Sequence, residues 1–260
     1  MKKYTILYMT IFCVLGFIIV FGCSQAPPET AEEVIERSVK AHGSEKLTNW
    51  STKTILGTVV MNDGNFFNSA YRLYVEKPGK LREEIDQTVD KGRIFTEEFL
   101  NDGVAWRRQN LMVRGGNVGQ STKKLEQCSG IAYYADKAEA LLMKGEAEVE
   151  WKECENNNLQ EFNVVDTKLA YVVAAVMGAD TTELYFDKDN YYLILEKTGR
   201  SAKAYHDFKK VNGVVHAAKM NMISFDRRGN ERIAPYKFET IEYNKAIDPK
   251  LFTEDMPAKQ

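Results

Sequence analysis

Side chains that could do chemistry are few and scattered along this 260-residue chain. The three histidines, His42, His206 and His216, have no carboxylate or cysteine beside them at metal-ligand spacing, so neither a metal site nor acid–base catalysis is predicted. The glycine-rich stretch 115–119 lacks the lysine of a phosphate-binding loop and the spacing of a dinucleotide fingerprint, and we interpret it as a flexible loop. No local motif therefore indicates a cofactor.

Carboxylates are plentiful, but most of them fall at the polar positions of alternating strands, where a solvated face is the usual explanation. A catalytic pair of carboxylates dispersed along the chain leaves no local signature, so an enzyme stays open as an alternative. The sequence favours a protein that is not an enzyme.

Charge does not point to a polyanionic partner. The chain has 35 basic and 37 acidic side chains, a formal net charge of -2 and 44% hydrophobic residues. This balance provides no basic field that would gather nucleic acid or anionic headgroups. The composition is typical of one large folded domain with an ordinary core.

The N-terminus has the layout of an export signal. Lys2 and Lys3 precede an uncharged apolar stretch, residues 4–22, which stops at Cys23. The stretch is close to the minimum length for a spanning helix, so an uncleaved anchor is the alternative. The segment Val20–Cys23 resembles the lipobox of bacterial lipoproteins, and that resemblance implies cleavage after residue 22, a diacylglycerol thioether on Cys23 and acylation of the new amino terminus. Several acyl chains hold a protein on a membrane almost permanently.

The rest of the chain divides into a short tether and one domain. Residues 23–29 contain Pro27 and Pro28 and no hydrophobic pattern, which predicts an extended linker. Thr30 and Glu33 have the spacing of a capping box, so a helix is predicted to start there and to end near Gly43. Residues 30–260 are predicted to form a single domain. Ser24, rather than an aspartate, follows the lipidated cysteine, and by the sorting habit of many double-membrane bacteria this predicts an outer-membrane position facing the periplasm.

Turn signals divide the domain into two series of antiparallel strands. Asn-Asp-Gly, Pro-Gly and Asn-Gly sequences recur between stretches of strand formers, and we count about eleven strands, five before the middle and six after it. Between the series, residues 111–145 break the two-residue period, and apolar positions at helical spacing predict a helix from about Ile131 to Lys144. The uncharged stretch 169–179 is predicted to be a buried strand, with an apolar segment lying in a ligand groove as the alternative.

Cys128 and Cys154 are the cysteines that remain in the body of an exported chain after Cys23. Export permits a disulfide between them, and closing this loop would contribute on the order of 3 kcal/mol. Two buried free thiols are the alternative.

Several landmarks, in their order and spacing, resemble a known superfamily. They are Val34-Ile35, Ala41-His42-Gly43, Gly57, Lys77-Pro78, Lys80-Leu81-Arg82, Asn101-Asp102-Gly103, Trp106, Asp187, Val211-Asn212-Gly213, Ile247-Asp248 and Leu251-Phe252. Together with the lipobox, they resemble the superfamily of the bacterial outer-membrane lipoprotein-sorting carrier and its receptor (LolA/LolB-like), over nearly the whole mature chain. The resemblance implies a mainly β, curved and incompletely closed antiparallel barrel whose concave face is covered by helices and receives acyl chains.

The predicted function is therefore that of a membrane-anchored periplasmic protein that binds lipid or lipoprotein acyl chains. The residues that we expect to line its cavity are apolar members of predicted strands and of the predicted helix. They are Phe67, Tyr71, Leu73, Ile85, Trp106, Leu141, Leu142, Met220 and Met222. An envelope sensor or scaffold that binds a protein partner with the same fold, its interior merely packed, is the competing interpretation.

Overall fold

The computed structural model describes most of the domain and none of the predicted signal peptide. The described residues are 29–62, 66–89, 92–101, 104–111, 115–119, 130–154, 162–225 and 229–253. By its internal contacts the chain divides into two units, Met1–Thr30 and Ala31–Gln260, and the second unit contains all the helices and strands given below.

Two α-helices and thirteen strands make up the described part of the domain. The helices are α1 (Ala31–His42) and α2 (Ile131–Lys137), with short 3-10 helices at Ser44–Leu47 and Pro249–Phe252. The strands are β1 (Thr52–Asn62), β2 (Phe66–Glu76), β3 (Lys80–Val89), β4 (Gly92–Asn101), β5 (Val104–Leu111), β6 (Gly115–Gly119), β7 (Ala140–Cys154), β8 (Phe162–Met177), β9 (Asp180–Asp187), β10 (Leu193–Thr198), β11 (Ser201–Val211), β12 (Val214–Phe225) and β13 (Glu231–Tyr243).

All thirteen strands belong to one antiparallel sheet. Its order is β6-β5-β4-β3-β2-β1-β13-β12-β11-β10-β9-β8-β7. Strands that follow each other in sequence therefore pair, except β6 and β7, and β1 also pairs with β13. That pairing joins the two predicted series into one surface. In the described residues β6 and β7 are the two edges, and the sheet is not closed. The predicted fold class, a curved and open antiparallel sheet with helices, is confirmed.

The middle of the chain is more strand-like than its sequence indicates. The predicted helix ends at Lys137 instead of Lys144, and Ala140 already starts β7, which pairs with β8 along its whole length. The stretch 115–119, which we interpreted as a loop, forms β6 against β5. Both segments acquire strand geometry from a long-range partner, which overrides weak local preferences. These two segments account for the thirteen strands observed in place of about eleven.

Helix α1 packs on the sheet as its sequence predicts. Its buried residues are Ala31, Val34, Ile35, Ser38 and His42, which recur at helical spacing on one face. The helix ends at Gly43, whose φ of 124° is a conformation that favours glycine. A Cβ placed on Gly43 would lie 2.6 Å from the carbonyl oxygen of Gly213, so this glycine lets the end of α1 approach the β11–β12 turn.

The main hydrophobic core lies between α1, α2 and the face of the sheet that they cover. It includes Val59, Val75, Leu81, Val173, Leu184 and Phe186, which are at most 1% exposed. The stretch 169–179, predicted to be a buried strand, lies mostly in β8, and its members Val172, Val173, Ala174 and Ala175 are buried. The prediction is confirmed for the middle of the stretch only, because Leu169 is 46% exposed and residues 178–179 form an exposed turn.

The other face of β3, β4 and β5 carries a smaller core and a buried ionic network. Phe99, Trp106 and Phe252 form the smaller core. Beside it, Arg82 is within 2.6 Å of Glu84 and 2.8 Å of Glu97, and its guanidinium also donates to the carbonyl of Leu251 at 2.8 Å. The 3-10 helix at Pro249–Phe252 is thereby fastened to this face of the sheet.

Candidate ligand cavity

The helix-covered face of the sheet encloses a cavity of about 640 Å³. This volume lies within the range of small-molecule binding sites in proteins. Its walls come from the ends of α1 and α2 and from strands on both sides of the β1–β13 pairing. The apolar wall residues include Leu47, Ile55, Leu193, Val215, Phe238 and Ile241.

Four of the predicted lining residues meet in this cavity. Tyr71 and Leu73 contribute from β2, and Met220 and Met222 contribute from β12. Ile85 and Leu141 do not line the cavity, but both are half-buried and pack against the main core that surrounds it. Except for Leu141, which was predicted on a helix, the alternation of side chains along a strand was sufficient to place these residues on the covered face.

Two predicted lining residues lie elsewhere. Trp106 belongs to the opposite face, where its ring stacks on Phe99 with a centroid distance of 5.0 Å and an interplanar angle of 15°. Leu142 is 48% exposed. The reason is that Leu141 and Leu142 lie on strand β7, where consecutive side chains point to opposite faces, and not on the predicted helix. For Phe67, the structure describes its place in β2 but not its side chain.

The sequence analysis missed the contribution of β13. Tyr236 and Phe238 line the cavity, and the ring of Tyr71 packs against them with centroid distances of 5.2 and 5.6 Å. Their spacing of two residues is a strand signal that could have identified them. Their position next to β2 residues could not have been found, because it depends on the pairing of the last strand with the first.

Two of the three acidic residues that line the cavity, Glu83 and Glu196, are hydrogen-bonded to tyrosines. The hydroxyl of Tyr71 donates to Glu83 at 2.8 Å, and the hydroxyl of Tyr134 on α2 donates to Glu196 at 3.4 Å. Burial, with a smaller contribution from Glu196, raises the pKa of Tyr134 and Tyr205. These tyrosines therefore stay protonated and act as hydrogen-bond donors to the carboxylates.

The end of the cavity beneath α1 contains two histidines that are held neutral. Burial, followed by the charge of Lys53, lowers the pKa of His216 to about 3. Burial also lowers the pKa of His42, whose Nδ1 lies 2.9 Å from the carbonyl of Ser38. Both imidazoles are therefore uncharged at neutral pH. A histidine that exchanges protons in a catalytic cycle would need a pKa near 7. Among the described residues, no three His, Cys, Asp or Glu side chains are grouped so that they could hold a metal ion.

The other predicted sites are not described by the structure. Cys23 and Cys128 lie outside the described residues, and Cys154 is half-buried at the end of β7. The lipid attachment at Cys23 and the disulfide between Cys128 and Cys154 therefore stay predictions. Neither described α-helix has the length and apolarity that a membrane crossing requires.

Comparison with known proteins identifies similar structures and no similar sequences. No protein-family profile and no curated protein matches the chain. A DUF1329 family protein from Desulfovibrio piger matches with a TM-score of 0.53 and 9% identity, over 86% of this chain and 98% of that one. A LolA superfamily protein from Nitrosomonas europaea has a TM-score of 0.49 and 11% identity, over 88% and 99% of the two chains. An outer membrane lipoprotein-sorting protein domain from Vibrio parahaemolyticus has a TM-score of 0.48 and 11% identity, over 86% and 98%.

At these identities the likeness concerns the fold alone. The match to the first of these structures covers 86% of this chain and 98% of that one, so the likeness extends beyond a local motif. Structural neighbours of this chain thus include DUF1329, LolA superfamily and lipoprotein-sorting domain proteins. The chain itself has the open, helix-covered antiparallel sheet that the sequence resemblance implies.

Proposed function

We propose that this protein is a lipid-anchored envelope protein that binds the acyl chains of a lipid or lipoprotein in its cavity and catalyses no reaction. The observation that carries the proposal is the 640 Å³ cavity, whose walls include Leu73, Met220, Met222 and Phe238. An acyl chain that enters such a cavity is removed from water, and each Å² of buried apolar surface contributes roughly 25 cal/mol. This driving force needs no directional contact.

The chemistry of the wall supports a flexible apolar ligand. Met220 and Met222 lie two residues apart on one face of β12, and methionine adapts to irregular ligand shapes. The polar groups at the wall, such as Glu83 and Tyr71, are bonded to each other. These two groups therefore do not require a ligand to satisfy them.

The anchor defines the role within this proposal. A lipidated Cys23 followed by a tether of about six residues, at most ~3.6 Å each, would keep the domain close to the bilayer. A carrier that crosses the periplasm must be free, whereas an acceptor can be fixed. Permanent anchoring thus supports an acceptor of acyl chains on the outer membrane, facing the periplasm.

Acyl binding can be tested with a soluble form that begins at Ser24, because the unit from Ala31 onward has its own core. We expect Met220→Asp to weaken binding of a fluorescent fatty-acid analogue by at least about tenfold, since a carboxylate in the apolar wall must be desolvated. Leu142→Asp is the matched control, because Leu142 lies outside the cavity and is 48% exposed. Thermal melting would verify that both variants fold. If both bind like the original protein, or if no lipid is retained or bound, acyl binding in this cavity is excluded.

Capture of a protein partner is the competing function. Crosslinking in the cell envelope separates the two: specific capture of one protein that Met220→Asp leaves unchanged would favour a scaffold whose interior is merely packed. A hydrolase activity lost on changing a single carboxylate or histidine would favour an enzyme.

A further inference from the structure

A second cavity lies beneath the outer half of the β7–β8 hairpin, where the two long strands extend past the rest of the sheet. Strand β8 pairs with β9 only from Ala170 to Met177, whereas it pairs with β7 from Phe162 onward. The free part of the hairpin lies across β11, β12 and β13. There Lys152 pairs with Glu231 at 2.8 Å, and Lys219 pairs with Glu153 at 2.8 Å.

This hairpin cavity has a volume of about 320 Å³ and aromatic walls. Its aromatic residues are Trp151, Tyr192, Tyr205, His206 and Phe208. The ring of Trp151 stacks on His206 at 4.9 Å with an interplanar angle of 14°, and the ring of Tyr192 lies 4.9 Å from Phe208. Trp151 is 6% exposed, so these rings are fixed by packing.

The charges at the hairpin cavity are mainly negative. Glu150, Asp166, Asp187 and Asp207 contribute four carboxylates, and the cationic groups at the wall are Lys168 and, when protonated, His206. Lys168 already places one ammonium group at this wall, with its Nζ 2.7 Å from Asp187. The carboxylate of Asp187 is 2% exposed and also accepts a hydrogen bond from the side chain of Asn190. Asp207 is paired with Lys209 at 3.4 Å. After these two pairs are discounted, the carboxylates of Glu150 and Asp166 remain at the wall.

We propose that the hairpin cavity binds a small organic ammonium ion. Aromatic faces attract a cation through their quadrupole, and carboxylates beside them add attraction and favour a positive over a neutral guest of equal shape. The volume fits a group of the size of choline. Asp166, which accepts from Nε2 of His206 at 3.2 Å, is the carboxylate held directly against the aromatic wall. This cavity shares Tyr205 and Phe208 with the wall of the 640 Å³ cavity, but its carboxylates and Trp151 belong to it alone, and the proposal does not depend on acyl binding.

Choline and its uncharged isostere 3,3-dimethylbutan-1-ol test the proposal directly, because they share a shape and differ in charge. The full chain is titrated with each in a nonionic detergent, and tryptophan fluorescence reports binding through Trp151, which lies at the wall. We expect a saturable change with choline chloride, none with the isostere and none with sodium chloride. Trp151→Phe should remove the signal, since the reporter is lost while an aromatic face remains.

Asp166→Asn identifies the site. This change removes a charge and preserves shape, and we expect it to weaken choline binding by about tenfold, since the carboxylate held against the aromatic wall is lost. Asp136→Asn on α2, whose side chain is 70% exposed and far from this wall in the fold, is the matched control and should bind as before. Equal responses to choline and the isostere, no saturable response, or unchanged binding by a folded Asp166→Asn variant would overturn the proposal.

Discussion

The hydroxyl of Tyr243 lies 2.5 Å from Nε2 of His216, and their rings are stacked with centroids 5.3 Å apart. This pair lies at the end of the 640 Å³ cavity, beside Lys53, whose ammonium is 5.8 Å from the Tyr243 ring. Burial and the nearby cation both oppose protonation of the imidazole. The pair therefore makes the domain sensitive to acid.

Stability is expected to fall as the pH is lowered from about 6.5 toward 3. The pKa of His216 is about 3 in the folded protein and about 6.5 in an unfolded chain, so within this window the unfolded state binds more protons. At pH 5 the linked loss for one such group is about 2 kcal/mol. Urea unfolding at pH 7.5 and pH 5 should show that His216→Gln reduces the difference between the two pH values by about this amount. An unchanged difference would show that His216 is not the acid-sensitive group.

Arg82 is expected to be important for the stability of the opposite face of the sheet. Its guanidinium joins the buried Glu84 and Glu97 to the carbonyl of Leu251, and it is 7% exposed. Arg82→Met would remove the arginine that forms ion pairs with both buried carboxylates. We expect the free energy of unfolding to fall by about 3 kcal/mol. Arg107→Met is the control, because Arg107 is half-exposed and 3.6 Å from Glu98, and it should cost at most about 1 kcal/mol. Equal losses in the two variants would contradict this account.

The contact between α1 and the β11–β12 turn can be tested at Gly43. Gly43→Ala introduces both an unfavourable φ and a clash with the carbonyl of Gly213, and we expect a loss of at least about 2 kcal/mol. Gly178 also has a positive φ, but a Cβ there would meet nothing within 4 Å. Gly178→Ala should therefore cost only about 1 kcal/mol, for strain alone. Chemical denaturation of the two variants measures the difference, and a cost at Gly178 equal to that at Gly43 would rule out the clash.

Membrane fractionation tests the predicted anchor. The full chain should be recovered with the outer membrane, and Cys23→Ala should release it from that fraction, because without the thiol no diacylglycerol can be attached. Recovery of the original chain with the inner membrane would contradict the predicted placement. If the released form carried cargo and fully replaced the anchored protein in cells, the acceptor role would be wrong.

Much of the fold could be predicted because its signals are local. The face of α1 formed by Val34, Ile35 and Ser38 follows from helical spacing, and the alternation in β2 that buries Tyr71 and Leu73 follows from the pleat. Neither depends on a distant partner. By contrast, the apolar residues from Ile131 to Leu142 fit a helical period, and only pairing with β8 shows that Leu141 and Leu142 belong to a strand.

The sequence by itself determined that the chain forms hairpins with one apolar face, and it predicted the export signal and the lipidation site. Only the tertiary structure decided which apolar residues surround a cavity. Trp106 and Met220 both lie on alternating strands, yet Trp106 packs under the C-terminal 3-10 helix and Met220 faces the cavity. The reason is physical: alternation tells which side chains share a face, but what covers each face depends on the pairing of β1 with β13 and on the segments that pack against the sheet afterwards.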